Sequence, residues 1–490
     1  MASKGCNNRI KGVCSVISAI LINLLTGSLF TFPNLIPFYE IYTQRQFSKN
    51  QLYFVAPAGI FMHNALPSVT GILDTKFGPR ILNIVGSICL LGSQLIIYFT
   101  KNYPLLILSY ILFGFCGSLT YYQSLKNCWK YYHNHKGLIS GIVFSSFGLS
   151  AFIFTTIADA LNKSEKNKKD EKTIKAFELY LKIVLICFGV VGTLSSILCF
   201  PYKKQDDYIL GLSVITNEDG GEQSPKEERH YSVELKKDDL SEREKRTLKQ
   251  TICSKDFLLC LIIASCTLTF GFLLNNTYRT FGHTVFIAHG KEGKGASDDD
   301  LKKNEEHLKT LSKVFTLLNT FSRLIWGFIS DHVRFKILYL IVCVNQILCG
   351  ALIYLSTNTM LTYFIVVNFG VLSYSGHIVL FPNLIHIKFG VEKSVNLLGI
   401  CGIFSGIAAL IGPILTIFFL KEPKDYLIIY IAGVAPTIAS FFIAIFIKVE
   451  EKKKKEVTNI DNINSNDEVE NLDNENLNED GVELNANKNK

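Results

Sequence analysis

The chain has 490 residues, of which 48% are hydrophobic, 12% aromatic and only 19% charged. Soluble domains run near a quarter charged, so this composition, with a mean hydropathy of +0.26, excludes an ordinary water-soluble enzyme and a disordered scaffold alike. The formal net charge of +8 sums opposed blocks and does not mark a nucleic-acid surface. A membrane helix needs about 20 mainly apolar residues, and twelve stretches meet that need. Spans 1 to 6 cover 13–38, 52–73, 81–100, 104–125, 137–160 and 177–200. Spans 7 to 12 cover 256–278, 308–330, 337–356, 360–382, 395–420 and 426–447. Span 1 has no short apolar core followed by a small-residue cleavage site, so it reads as retained rather than as a removed signal. The expected organisation is a six-helix bundle over 1–200, a polar linker over 201–254, a second six-helix bundle over 255–448, and a disordered acidic, Asn-rich tail over 449–490. The linker is expected to hold one charged helix near Ser241–Gln250.

Thirteen cysteines show neither a CxxC nor a Cys–His spacing suited to zinc. They read as small core residues, with no metal, cofactor or disulfide frame implied. With an even number of spans both termini share one side with the linker. That side carries 30 Lys and Arg against 16 on the other, with 4 inside spans. Positive charge marks the cytoplasmic side, so the termini and linker are expected there. Lys163, Lys166, Lys168, Lys169, Lys172 and Lys175 form a local exception. The plasma membrane is the default location in the absence of a targeting signal, with an organelle membrane left open, and the chain is expected to be a monomer.

The two halves repeat each other. After span 2 the chain carries Gly71, Asp74, Gly78 and Arg80; after span 8 it carries Gly327, Asp331 and Arg334. Asp74 and Asp331 are 257 residues apart, while Gly141 and Gly148 of span 5 stand 258 from Gly399 and Gly406 of span 11. One offset at separate points means a duplicated six-helix unit. Six is even, so the copies run parallel about an axis along the membrane normal, with a binding site expected between them.

The Gly71–Arg80 loop and its second copy resemble the signature loop of the major facilitator superfamily. The resemblance implies an all-α membrane protein of two parallel-repeated bundles. It also implies a gate in which Asp74, Arg80 and Asp331 close one side, with Gly78 shaping the turn. Finer runs resemble the monocarboxylate transporter and oxalate:formate antiporter branch: Phe32-Pro33-Asn34 in span 1, Arg323 before Gly327 in span 8, and Phe381-Pro382-Asn383 at the end of span 10. This implies alternating-access transport of a small organic anion, with Arg323 on the carboxylate and a proton as a possible coupling ion. Monocarboxylate transporters carry a lysine where this chain has Asn34 and an acid where it has Asn319. Asn34, Asn319, His63 and Tyr121 are therefore expected as neutral polar contacts. His63 takes the place of a proton-binding group, and His377 in span 10 is a weaker candidate. Two alternatives remain. The Asp74–Arg80 run is also similar to large neutral amino-acid facilitators, which would make this an amino-acid carrier. A non-transporting membrane nutrient sensor would use the linker and tail as its interaction surfaces. No nucleophile–base pair or paired carboxylates sit inside the spans, so an enzyme is not expected.

Overall fold

Hydrocarbon offers no partner to a backbone N–H or C=O, so a spanning chain must bond to itself. The computed structural model describes residues 2–44, 46–162, 170–203, 246–288, 298–353, 355–420 and 422–446. Most of the linker, the lysine-rich stretch after span 5 and the acidic tail lie outside the described residues. Of the expected linker helix, Leu248–Ile252 is described.

The first half runs through Ala2–Thr26, a 3-10 turn at Gly27–Thr31, Phe32–Tyr42, Val55–Ala65, Pro67–Phe99, Tyr103–Tyr131, Lys136–Asn162 and Asp170–Leu198. The second runs through Lys255–His283, Asp298–Ser330, Phe335–Leu352, Met360–Phe389, Val391–Phe418 and Pro423–Phe446. All twelve expected spans fall on these helices, and among the described residues there is no strand. Among the described residues, ten stretches are long and apolar enough to cross a membrane on their own, and the two other expected spans each have a physical reason for falling short. Span 2 is broken where Val55–Ala65 ends at Leu66 and Pro67, with no backbone N–H to donate, starts the next helix. That helix turns at Gly78 (φ 76°, ψ 169°) and resumes as span 3. Span 8 is the apolar end of a 33-residue helix that opens on Asp298, Asp299 and Asp300.

Each half has its own apolar core. In the first, Leu25, Phe32, Phe113, Phe177 and Phe188 pack together; in the second, Phe270, Phe281, Tyr363, Tyr426 and Tyr430 do. Large side chains such as Ile186, Ile197, Leu361 and Ile428 point outward and stay exposed, which suits a surface facing lipid rather than water. The halves meet along two seams, span 5 against span 8 and span 2 against span 11. At the first seam the backbones touch. A Cβ on Gly141 would lie 2.7 Å from the Arg323 carbonyl oxygen, and one on Gly327 would lie 2.6 Å from the Gly137 carbonyl oxygen. Small residues at such crossings are how membrane helices gain close packing without a hydrophobic drive between them.

Candidate functional site

Between the seams lies a cavity of about 70 Å³, room for about five waters at 10–15 Å³ each. Both halves supply its wall: His63 of span 2, Tyr121 and Tyr122 of span 4 and Phe147 of span 5 face Arg323 of span 8 and His377 of span 10.

Arg323 is buried, with 3% of its surface exposed. Its Nε donates to Asn319 Oδ1 at 3.3 Å and its Nη1 to the Phe144 carbonyl at 2.7 Å. Asn319 stands four residues earlier, one helical turn away, so its amide orients the guanidinium from behind. Span 5 approaches closely here, since a Cβ on Gly148 would lie 3.6 Å from Arg323 Cζ. Both acceptors are neutral, and no described carboxylate pairs with this arginine. Isolating a charge from water without a counter-charge costs several kcal/mol. Among the described residues, the remaining N–H groups of the fork have no acceptor.

His63 is clamped edge-on to Tyr121, with ring centroids 4.9 Å apart, and stacked on Phe147 at 5.6 Å. Its Nε2 is buried with no partner among the described residues. The structure thus brings Arg323, His63 and Tyr121 to one cavity, with Asn319 supporting the arginine. Asn34 is not among the residues that line the cavity. Phe30 is the span 1 residue at the cavity, and Asn34 sits four residues further on, about 6 Å at a helical rise of 1.5 Å per residue. There its Nδ2 donates to Thr155 Oγ1 at 3.2 Å and its Oδ1 accepts from Arg279 Nη1 at 2.9 Å. Arg279 belongs to the second half, so this bond bridges the halves on the side away from the linker.

The linker side is bridged more heavily. Asp331, just beyond span 8, accepts from the backbone N–H groups of Gly137 (2.7 Å) and Leu138 (2.8 Å) at the start of span 5. It caps a helix of the other half, where the unsatisfied N–H groups and the helix dipole favour an acceptor. Burial pushes its carboxyl above the ordinary range, with the two N–H bonds pulling the other way. In the first copy of the loop the arrangement differs. Asp74 Oδ2 pairs with Lys126 Nζ at 2.9 Å, and the same Nζ pairs with Glu392 Oε2 at 2.8 Å. Lys130 joins Glu392 Oε1 at 2.5 Å. Glu392 opens span 11, so a chain of four charges ties the halves together. Arg80 is exposed and makes no ion pair among the described residues; Lys126 stands where a partner for Asp74 was expected of it. Gly78 has open space around it, and its positive φ, which favours glycine, makes the turn. Two further hydrogen bonds cross the same side: Ser140 Oγ to Asn383 Oδ1 at 2.8 Å, and Asn396 Nδ2 to the Ser68 carbonyl at 2.9 Å.

Lys126 and Glu392 were not singled out from the sequence. Span 4 as read from the sequence stops at residue 125, yet the helix runs on to Tyr131 and Lys126 is 2% exposed. The available signal was an acid, Glu392, in the first turn after Gly390 beside a helix end bearing Lys126 and Lys130.

Two helical halves packed around a buried guanidinium, closed on one side by a duplicated acidic loop, define a polytopic membrane protein of the two-bundle kind. The chain belongs to the Major Facilitator Superfamily, whose profile matches residues 13–413. Among solved structures it is similar to the human organic anion transporter MFSD10 (TETRAN), at a TM-score of 0.60 and 10% identity, covering 89% of this chain and 99% of that one. At that identity the likeness shows the fold. Comparison with curated proteins finds no match.

Proposed function

We propose that this chain carries a small organic anion with one carboxylate by alternating access. The observation that supports this is Arg323: a buried guanidinium on the cavity wall, oriented by two neutral acceptors and matched by no carboxylate among the described residues. A planar fork with open donors suits a carboxylate, held through two parallel bonds. A carboxylate arriving there supplies the missing counter-charge, and a second carboxylate on the same solute would find no second cation on the wall. His63 and Tyr121 are neutral polar contacts beside it, and the bare Nε2 of His63 is available to a solute or to a proton.

Contacts bridge both ends of the cavity. The Asp331 cap and the Asp74–Lys126–Glu392–Lys130 chain hold the linker side, and Arg279–Asn34 ties the other. Alternating access breaks one set while the other persists. The excess of Lys and Arg on the linker side supports a cytoplasmic location for it. That the printed title of one structural neighbour describes an organic anion transporter accords with this cargo class.

The test is uptake of labelled small monocarboxylates into proteoliposomes, with and without a pH gradient. Saturable uptake is expected. Arg323→Ala is expected to lower kcat/KM about 30-fold or more, since truncating one partner of a buried charged pair costs about 2–5 kcal/mol. Full affinity in Arg323→Ala removes the site assignment. Competition by leucine with no carboxylate flux replaces the anion with an amino acid.

A further inference from the structure

The cavity wall offers more than one carboxylate uses. Resting on the organic-anion reading above, we infer that the cavity selects an aromatic monocarboxylate with a hydroxyl on its ring, and that His377 is the residue that reads the hydroxyl.

The walls carry Phe30, Tyr121, Tyr122, Phe147, Phe272 and Phe381, drawn from both halves. Leu and Ile side chains would serve an aliphatic body equally well. Rings add a preference for a flat π-system, because aromatic pairs contribute about 0.5–1.5 kcal/mol beyond the area they bury. A ring between these walls gains that term at several faces and edges.

His377 supplies the second polar contact. It is 2% exposed, and neither Nδ1 nor Nε2 has a partner among the described residues. Phe381, one turn along the same helix, lies almost parallel to it at 9° and 5.5 Å, which fixes the plane of the imidazole. Unpartnered buried polar groups are uncommon. Two unpartnered nitrogens on one ring at a cavity wall can hydrogen-bond to a solute. An uncharged imidazole offers one N–H donor and one lone pair. A hydroxyl, which both donates and accepts, answers either tautomer. A second carboxylate on the solute could use only the N–H, against an acceptor on the same ring. Arg323 and His377 lie on neighbouring helices of the second half, where Ser322 and Ser375 hydrogen-bond at 2.5 Å. The carboxylate and the hydroxyl are therefore read from the same half, while Tyr121, Tyr122 and Phe147 cover the body of the solute from the other.

The experiment uses the purified full chain in proteoliposomes at neutral pH, with flux into empty liposomes subtracted. It compares labelled 4-hydroxybenzoate, benzoate and propionate in the wild type, Arg323→Ala, His377→Phe and His377→Gln. The expected result is Arg323-dependent uptake, with kcat/KM for 4-hydroxybenzoate about tenfold above benzoate and benzoate above propionate. His377→Phe is expected to erase the difference between the two aryl acids at whatever rate remains. His377→Gln keeps a donor and an acceptor and restores part of it. Equal uptake of both aryl acids by the wild type overturns the hydroxyl contact. A preference that survives in both His377 variants overturns the role of His377. Arg323-dependent propionate uptake with no competition from either aryl acid overturns this inference and leaves the carboxylate reading intact. Absence of any Arg323-dependent anion flux overturns both.

Discussion

Asp331 separates two ways of closing a transporter, by charge or by hydrogen-bond geometry. Its carboxylate oxygens each accept one backbone N–H of span 5, at 2.7 and 2.8 Å. Loss of a helix cap costs about 0.5–2 kcal/mol, and here two donors lose their acceptors, so Asp331→Ala should cost the closed linker side about 2 kcal/mol. Asp331→Asn keeps one of the two acceptors and should cost about 1 kcal/mol. Burial already pushes the Asp331 carboxyl above the ordinary range. The closed state therefore holds its proton more tightly than an open state in which Asp331 meets water. Its contribution to closure is greatest at low pH and falls as pH rises through the raised value, so acidification does not open this gate through Asp331. With a starting ratio of about 100:1, a loss of 2 kcal/mol is about 30-fold and opens about one molecule in four. A loss of 1 kcal/mol opens about one in twenty. The reporter is native. Trp129 is 1% exposed and meets His386 of the other half edge-on at 4.5 Å, and Trp326 is the second of two tryptophans. In a Trp326→Phe background, the emission of Trp129 should shift to the red in proportion to the opened fraction, more for Asp331→Ala than for Asp331→Asn. If Asp331→Asn shifts it as far as Asp331→Ala, charge rather than acceptor geometry holds the seam and the reasoning fails.

Lys126→Met leaves Asp74, 8% exposed, without its cation. Breaking a buried pair by removing one partner costs about 3–5 kcal/mol, so the thermal midpoint in detergent should fall sharply. Asp74→Asn in the same chain should recover most of the loss; an unrecovered double variant would mean that Lys126 acts through packing alone. At the other seam, Gly141→Ala places a methyl 2.7 Å from the Arg323 carbonyl oxygen and 3.1 Å from Gly327 Cα. Spans 5 and 8 must then separate. Uptake should drop severalfold while the yield of folded protein stays level, and a wild-type rate would show that this seam does not need backbone contact to close.

Local composition carried much of the fold. Length and apolarity located the spans, the repeated loop gave the two-bundle arrangement, and a lone arginine inside span 8 pointed to the cavity. Where sequence fell short, the missing information was non-local. Asn34 stands in a run of family-like residues, yet four residues of helix carry it from the cavity to Arg279, 245 positions away. Lys126 looks like any basic residue at a helix end until Asp74 and Glu392, from two other spans, enclose it. The break in span 2 was signalled by Pro67 but hidden by unbroken hydrophobicity on either side. The expected Arg80 contact failed for the same reason, since the helix after Gly78 turns that side chain outward.

The trans cap on span 5 has a consequence for what opening means. The first turn of that helix is complete only while Asp331, from the other half, supplies its acceptors. When the halves part on this side, Gly137 and Leu138 lose those bonds and the helix start is left to fray toward water. On the alternating-access proposal, opening of the linker side is therefore not a pure rocking of rigid bundles but includes a small local unfolding at the start of span 5, and the backbone order of one helical turn would report which side is open.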